Sequence, residues 1–190
     1  MSAESKAIGK ADDSSKLFIQ KALAGVDTHG FDLDSVYCIQ GEYYVFEYLK
    51  CESDKVSPHT SNPKYYPYNW KKFYSLWQTA QRMGAYLFLV NYSDRPKDCD
   101  QVKVMYVKKF DYEELEKYLE RSENGGWGGQ SSYLEMDQYM LTFREFSDYL
   151  KKINAMATLP VEKNTLLPKR VAAAIQPKNV TAVNHPVLPK

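Results

Sequence analysis

The amino-acid sequence predicts an α/β domain, with one central mixed β-sheet flanked by helices and an extended C-terminal tail. Three observations predict it. Amphipathic stretches with helical period alternate with short apolar runs of strand length. The run Ala85–Tyr92 (AYLFLVNY) is almost wholly apolar, as a strand covered on both faces must be. All 16 tyrosines lie between Tyr37 and Tyr149, and no Tyr, Trp or Phe follows Tyr149. The aromatic segment can bury enough apolar area to offset its ordering entropy, whereas the end of the chain lacks that means.

These boundaries predict a short polar N-terminus over 1–13, a folded body over 14–155 and a tail over 156–190. In the body, Ser14–Ala24 reads as a short helix with Leu17, Phe18, Ala22 and Leu23 on one side. Gly30 then breaks the chain. Phe31–Ile39 and Tyr43–Cys51 read as two strands joined by a tight turn at Gln40-Gly41. Glu52–Tyr68 is a loop rich in Pro, Ser, His and Asn. Asn69–Met83 is a helix whose apolar stripe is Phe73, Leu76, Trp77, Ala80 and Met83, stopped by Gly84.

The buried strand Ala85–Tyr92 follows, then a strand over Val102–Lys108. A helix over Asp111–Arg121 opens with a capping box, Asp111 with Glu114 three residues on. After the glycine-rich NGGWGGQ loop come a strand over Tyr133–Leu141 and a helix over Thr142–Asn154. The last helix also opens with a capping box, Thr142 and Glu145.

Charge and composition exclude several functions. The 190 residues carry 25 Lys+Arg against 24 Asp+Glu, a net charge of +1. A nucleic-acid partner would therefore need a local basic patch. No stretch approaches the roughly 18 uninterrupted apolar residues of a membrane span, and Met1–Ser15 is polar and mixed in charge, unlike a secretory signal. Cys38, Cys51 and Cys99 are scattered, without zinc or disulfide spacing. A cytoplasmic location is expected, with no membrane partner.

The hairpin concentrates the chemistry. With Gln40 and Gly41 in the turn, Ile39 faces Glu42, and counting outward sets Asp34 directly opposite Glu47. Cβ atoms of such a pair lie roughly 5 Å apart, and like charges there are destabilising. Asp32 sits diagonally to Glu47. Three converging carboxylates need a cation or raised pKa values. Asp34, Glu47 and Asp32 are therefore candidate ligands of Mg²⁺, or of Mn²⁺ in its place. Lys50 is a candidate to stabilise charge or orient water in phosphodiester hydrolysis. The plainer alternative is a hairpin whose acids face water. The apolar neighbours Val45, Phe46, Tyr48 and Leu49 favour a central strand instead.

The segments GFDLDSVYCIQGEYYVFEYLKCES and KKFYSLWQTAQRMGAYLFLVNY resemble the restriction-endonuclease-like nuclease superfamily, over about Ser14 to Tyr92. In that family an Asp on one strand and Glu-x-Lys on its antiparallel neighbour form a metal-dependent nuclease site. The resemblance implies a restriction-endonuclease-like core and metal-dependent DNA hydrolysis, with RNA second, through Asp34, Glu47 and Lys50. The family core has three strands where two are clear here, so an extended piece at Val26–His29 would serve as the third.

The spacing Glu47-Tyr48-Leu49-Lys50 is one residue longer than the family's. Three resolutions stand. A bulge at Tyr48–Leu49 would restore Glu47 and Lys50 to one face. Tyr48 could occupy the family's Glu position in a degenerate site. Lys71 or Lys72, on the next helix, could supply the cation.

The following segment carries His59, Lys64, Lys71 and Lys72 among Tyr65, Tyr66, Tyr68 and Trp70, a pattern suited to tracking a backbone and stacking bases. Gln78 shares a helix face with Lys71 and Tyr74. The alternative for these aromatics is packing of the loop onto the helix. The proline-rich, weakly basic tail reads as a flexible end or as an arm that docks a protein partner or contacts nucleic acid. A catalytically degenerate binding module, an assembly subunit docked by this tail, and a homo-oligomer remain as rival readings.

Overall fold

A computed structural model of the chain describes residues 18, 21, 22, 24, 32–66, 69–123 and 133–157. The chain divides into two compact units, Met1–Asp32 and Leu33–Lys190. In the first, Phe18, Lys21 and Ala22 are helical, and the Ala24 N–H donates to the Lys21 carbonyl at 3.2 Å. The rest of the helix expected over Ser14–Ala24 and the strand expected at Val26–His29 lie outside the described residues. So do the NGGWGGQ loop and the tail from 158 onward.

The second unit runs β1 (Ser35–Ile39), β2 (Glu42–Lys50), a 3-10 turn (Pro63–Tyr65), α1 (Trp70–Met83), β3 (Ala85–Tyr92), β4 (Gln101–Phe110), α2 (Tyr112–Glu123), β5 (Leu134–Thr142) and α3 (Phe143–Ala157). Among the described residues, five strands form one mixed sheet in the order β1-β2-β3-β4-β5. Only β2 and β3 are parallel, and α1 supplies the crossover that parallel neighbours require. The coarse α/β expectation therefore holds: a mixed sheet with helices on both faces.

Local sequence accounts for the boundaries. Gln40 and Gly41 both adopt positive φ, 57° and 83°, as the commonest two-residue hairpin turn demands. The register runs without a break from Ile39↔Glu42 to Ser35↔Phe46. β1 starts at Ser35 rather than Phe31, because Asp34 bends the chain away from the ladder. Gly84 closes α1 in the left-handed region (φ 61°), with its N–H on the carbonyls of Ala80 and Gln81. At α3 both arms of the capping box form: the Thr142 N–H donates to Glu145 Oε2 at 2.8 Å, and the Glu145 N–H to Thr142 Oγ1 at 3.2 Å. That helix continues to Ala157, two residues past the boundary expected at 155.

Strand alternation sorts the sheet residues into two layers. On one face Tyr44, Phe46, Phe88, Val90, Val102, Val104 and Leu141 pack under Phe146, Tyr149 and Ile153 of α3. On the other, Val45, Leu87, Leu89, Met105 and Val107 pack under Phe73, Leu76 and Ala80 of α1 and Leu115 and Tyr118 of α2.

Candidate functional site

Glu47 lies mid-way along β2 on the face covered by α1, and only 3% of it is exposed. Its Oε1 meets the Lys72 ammonium at 2.5 Å. Lys72 projects from the first turn of α1, so the crossover helix brings the cation to the strand. Of the lysines considered from the sequence, Lys72 on the next helix is the one that reaches Glu47.

The bulge that one of the three resolutions required at Tyr48–Leu49 is absent. β2 pairs β3 in continuous register from Tyr43↔Ala85 to Lys50↔Tyr92. In a regular strand, residues three apart face opposite ways, so Lys50 lies on the face opposite Glu47. There it forms a 2.8 Å ion pair with Asp94. This exposed pair raises the lysine pKa and lowers that of the aspartate, mainly through their hydrogen bond.

Asp34 stands one step beyond β1, where the register would set it against Glu47. Its Oδ2 instead accepts the Tyr48 backbone N–H at 2.7 Å. That N–H points to the place Leu33 would occupy if β1 continued, and the carboxylate stands in for the missing ladder carbonyl. Asp34 borders a cavity on the α3 face together with Tyr48, Val90 and Phe146. Asp34 and Glu47 thus serve opposite sides of the sheet, and the expected convergence of carboxylates does not form. Asp32 ends the first unit and is exposed.

As placed, Asp34 and Glu47 do not present a shared set of oxygens to a Mg²⁺ or Mn²⁺ ion. Mg²⁺ wants near-octahedral oxygen ligands, whereas Glu47 Oε1 and Asp34 Oδ2 are each held by a protein donor. No group of three or more His, Cys, Asp or Glu side chains suited to a metal is present among the described residues.

The expected nucleic-acid contacts fall into two sets. Lys64 lies over the Tyr65 ring at 5.1 Å, and Lys71 over the Trp70 ring at 5.8 Å. Tyr65 is 47% exposed, and Tyr66 and Tyr74 are also exposed. Gln78 is engaged elsewhere: its Nε2 donates to the Tyr112 hydroxyl at 2.5 Å, tying α1 to the start of α2. Lys72 is committed to Glu47.

Sequence reasoning missed a second buried polar group. Lys103 on β4 is 2% exposed, on the same face as Glu47. Its ammonium donates to the Ser61 carbonyl, and to Gln138 Oε1 at 3.5 Å. Burial pulls its pKa down to about 8. Beside it, Asn91 Nδ2 donates to the carbonyls of Ser61 (3.0 Å) and Pro58 (3.3 Å). Asn62 reaches Gln138 Oε1 at 3.4 Å and accepts the Lys64 N–H at 3.1 Å, capping the 3-10 turn. The available signal was parity. Val102, Val104, Met105 and Val107 make both faces of β4 apolar, so Lys103 had to lie inside.

No helix among the described residues is long and apolar enough to cross a membrane. Comparison with protein-family models, with curated proteins and with solved structures gave no match for this chain.

Proposed function

We propose that this chain is a nucleic-acid-binding module on a nuclease-like α/β plan, with a catalytically degenerate carboxylate site. The carrying observation is the set of two lysine–aromatic pairs, one in the 3-10 turn and one at the start of α1. The first turn of that helix holds Lys71 and Lys72 and no acid, and its N-cap Asn69 makes no side-chain capping bond. Cations at a helix N-terminus oppose the macrodipole and cost stability unless an anion compensates. Glu47 compensates Lys72. Lys71 lies over the half-buried Trp70 ring and Lys64 over the exposed Tyr65 ring, where a phosphate backbone and a stacked base would meet charge and an aromatic face together. The degenerate reading is supported by the regular β2 strand, which turns Lys50 away from Glu47.

Fluorescence anisotropy with labelled single-stranded DNA and RNA across a salt series tests the binding. Affinity should fall with salt at a log–log slope of about 0.7 per phosphate contact, and Lys71→Ala should reduce that slope by about one contact. Tyr65→Ala should weaken binding by about 1–3 kcal/mol. Binding indifferent to salt and to both variants would overturn the proposal. Incubation with Mg²⁺ or Mn²⁺ tests the degeneracy. Cleavage that disappears in Asp34→Ala and in Glu47→Ala would restore the metal-dependent nuclease reading.

A further inference from the structure

The cavity beside Asp34 has a volume of about 800 Å³ and lies on the α3 face, at the carboxyl ends of β2 and β3. Alternation along the strands places Tyr48, Val90 and Tyr92 in its wall. Phe143 and Phe146, three residues apart at the start of α3, close it from above. The Tyr48 and Phe146 rings stand 6.5 Å apart at 81°, forming two perpendicular walls. Phe143 is 58% exposed, a large ring held in water at the rim.

The charge here is of one sign. Among the described residues that line the cavity, Asp34 is the one acidic side chain and there is no lysine or arginine. The Tyr48 N–H fixes one of its oxygens at 2.7 Å and so orients the carboxylate. Lys50, on the same face of β2, is paired with Asp94. A concave, largely apolar space of this size falls within the roughly 300–1,000 Å³ of small-ligand sites, where a few polar groups set orientation. Aromatic faces attract cations through their quadrupoles, and a carboxylate adds direct attraction.

We propose that this cavity binds an organic ammonium ion, with the cationic head against Asp34 and the rings of Tyr48, Phe143 and Phe146. The apolar body of the ligand fills the remaining volume, which a bare inorganic cation would leave empty. Anionic ligands are repelled by the same carboxylate. The site lies across the sheet from Glu47 and Lys72 and does not depend on the nucleic-acid reading.

Isothermal titration of the full chain with benzyltrimethylammonium tests it, with benzyl alcohol and benzoate as neutral and anionic counterparts. The cation should bind saturably, about tenfold more tightly than benzyl alcohol, and benzoate should not bind. Asp34→Asn keeps an acceptor for the Tyr48 N–H and should weaken the cation about tenfold, while Phe143→Ala removes an exposed ring and should weaken it about fivefold. Circular dichroism checks that both variants fold. A short peptide carrying trimethyl-lysine separates the sources. Binding comparable to the free cation assigns the ammonium to a side chain, and binding of the free cation alone assigns it to a small molecule. Equal affinity for benzyl alcohol and the cation, unchanged affinity in Asp34→Asn, or no saturable binding of the cation would each overturn the proposal.

Discussion

The two faces of the sheet bury different chemistry. Under α3 the layer is built from rings: Phe46 stacks on Phe88 at 5.0 Å, Tyr44 on Tyr86 at 5.1 Å, and Phe88 leans on Tyr106 at 5.3 Å. Under α1 and α2 the layer is aliphatic in the middle, with Glu47, Asn91 and Lys103 also buried there. Ring packing needs shape alone, whereas a buried charge or amide needs a partner delivered to it. On the α1 side those partners come from the first turn of α1 and from the loop carrying Pro58, Ser61 and Asn62. The same contacts hold Lys64 and Tyr65 in place. The polar face thus anchors the surface proposed to meet nucleic acid, and the aromatic face carries the cavity proposed for an ammonium ion.

Phe46→Ala should have the largest effect on the aromatic face. The side chain is fully buried, stacked on Phe88 and edge-on to Tyr37. Its removal should cost about 4 kcal/mol, read as a lower midpoint in urea denaturation with an unchanged slope. A loss under 1 kcal/mol would mean that the ring stack does not carry this face.

Lys72→Ala tests the polar face and should cost about 3 kcal/mol, because it removes an ion-pair partner of a buried carboxylate. The double variant Glu47→Leu/Lys72→Leu should recover most of that loss, since it removes the buried charge as well as its partner. If the double variant is as unstable as the single one, burial of Glu47 is not what Lys72 compensates.

Much of this contrast was legible in the chain. The two-residue turn at Gln40-Gly41 sets the hairpin register, and the unbroken apolar run of β3 marks a strand covered on both sides. The paired Thr142 and Glu145 place the start of α3. These are local signals, and local geometry realises them. The site was less legible because side-chain partners depend on tertiary placement. Nothing local says that α1 crosses close enough to deliver Lys72 to Glu47, or that Asp34 leaves the ladder to accept the Tyr48 N–H. The resemblance to Glu-x-Lys directed attention to Lys50, although strand alternation alone places that residue on the other face. A lysine in a strand ordinarily faces solvent, so only the apolar residues on both faces of β4 mark Lys103 as buried.

Lys103 gives the finest test of the contrast, through pH. Its ordinary pKa is 10.5, and burial lowers it to about 8 in the folded chain. Between these values the unfolded chain holds a proton that the folded chain has released, so stability should rise with pH from about 8 towards 10. The gain should be on the order of 2 kcal/mol. Above about 10 the aromatic layer acts in the opposite sense. Burial raises the pKa values of Tyr44 and Tyr149, so the folded state keeps protons that the unfolded state loses, and stability then declines. Urea denaturation at pH 7, 8, 9 and 10 should show the rise in the native chain. Lys103→Met should flatten it, while the decline above pH 10 persists. A native profile without the rise, or a variant that keeps it, would show that Lys103 does not titrate from within the polar face.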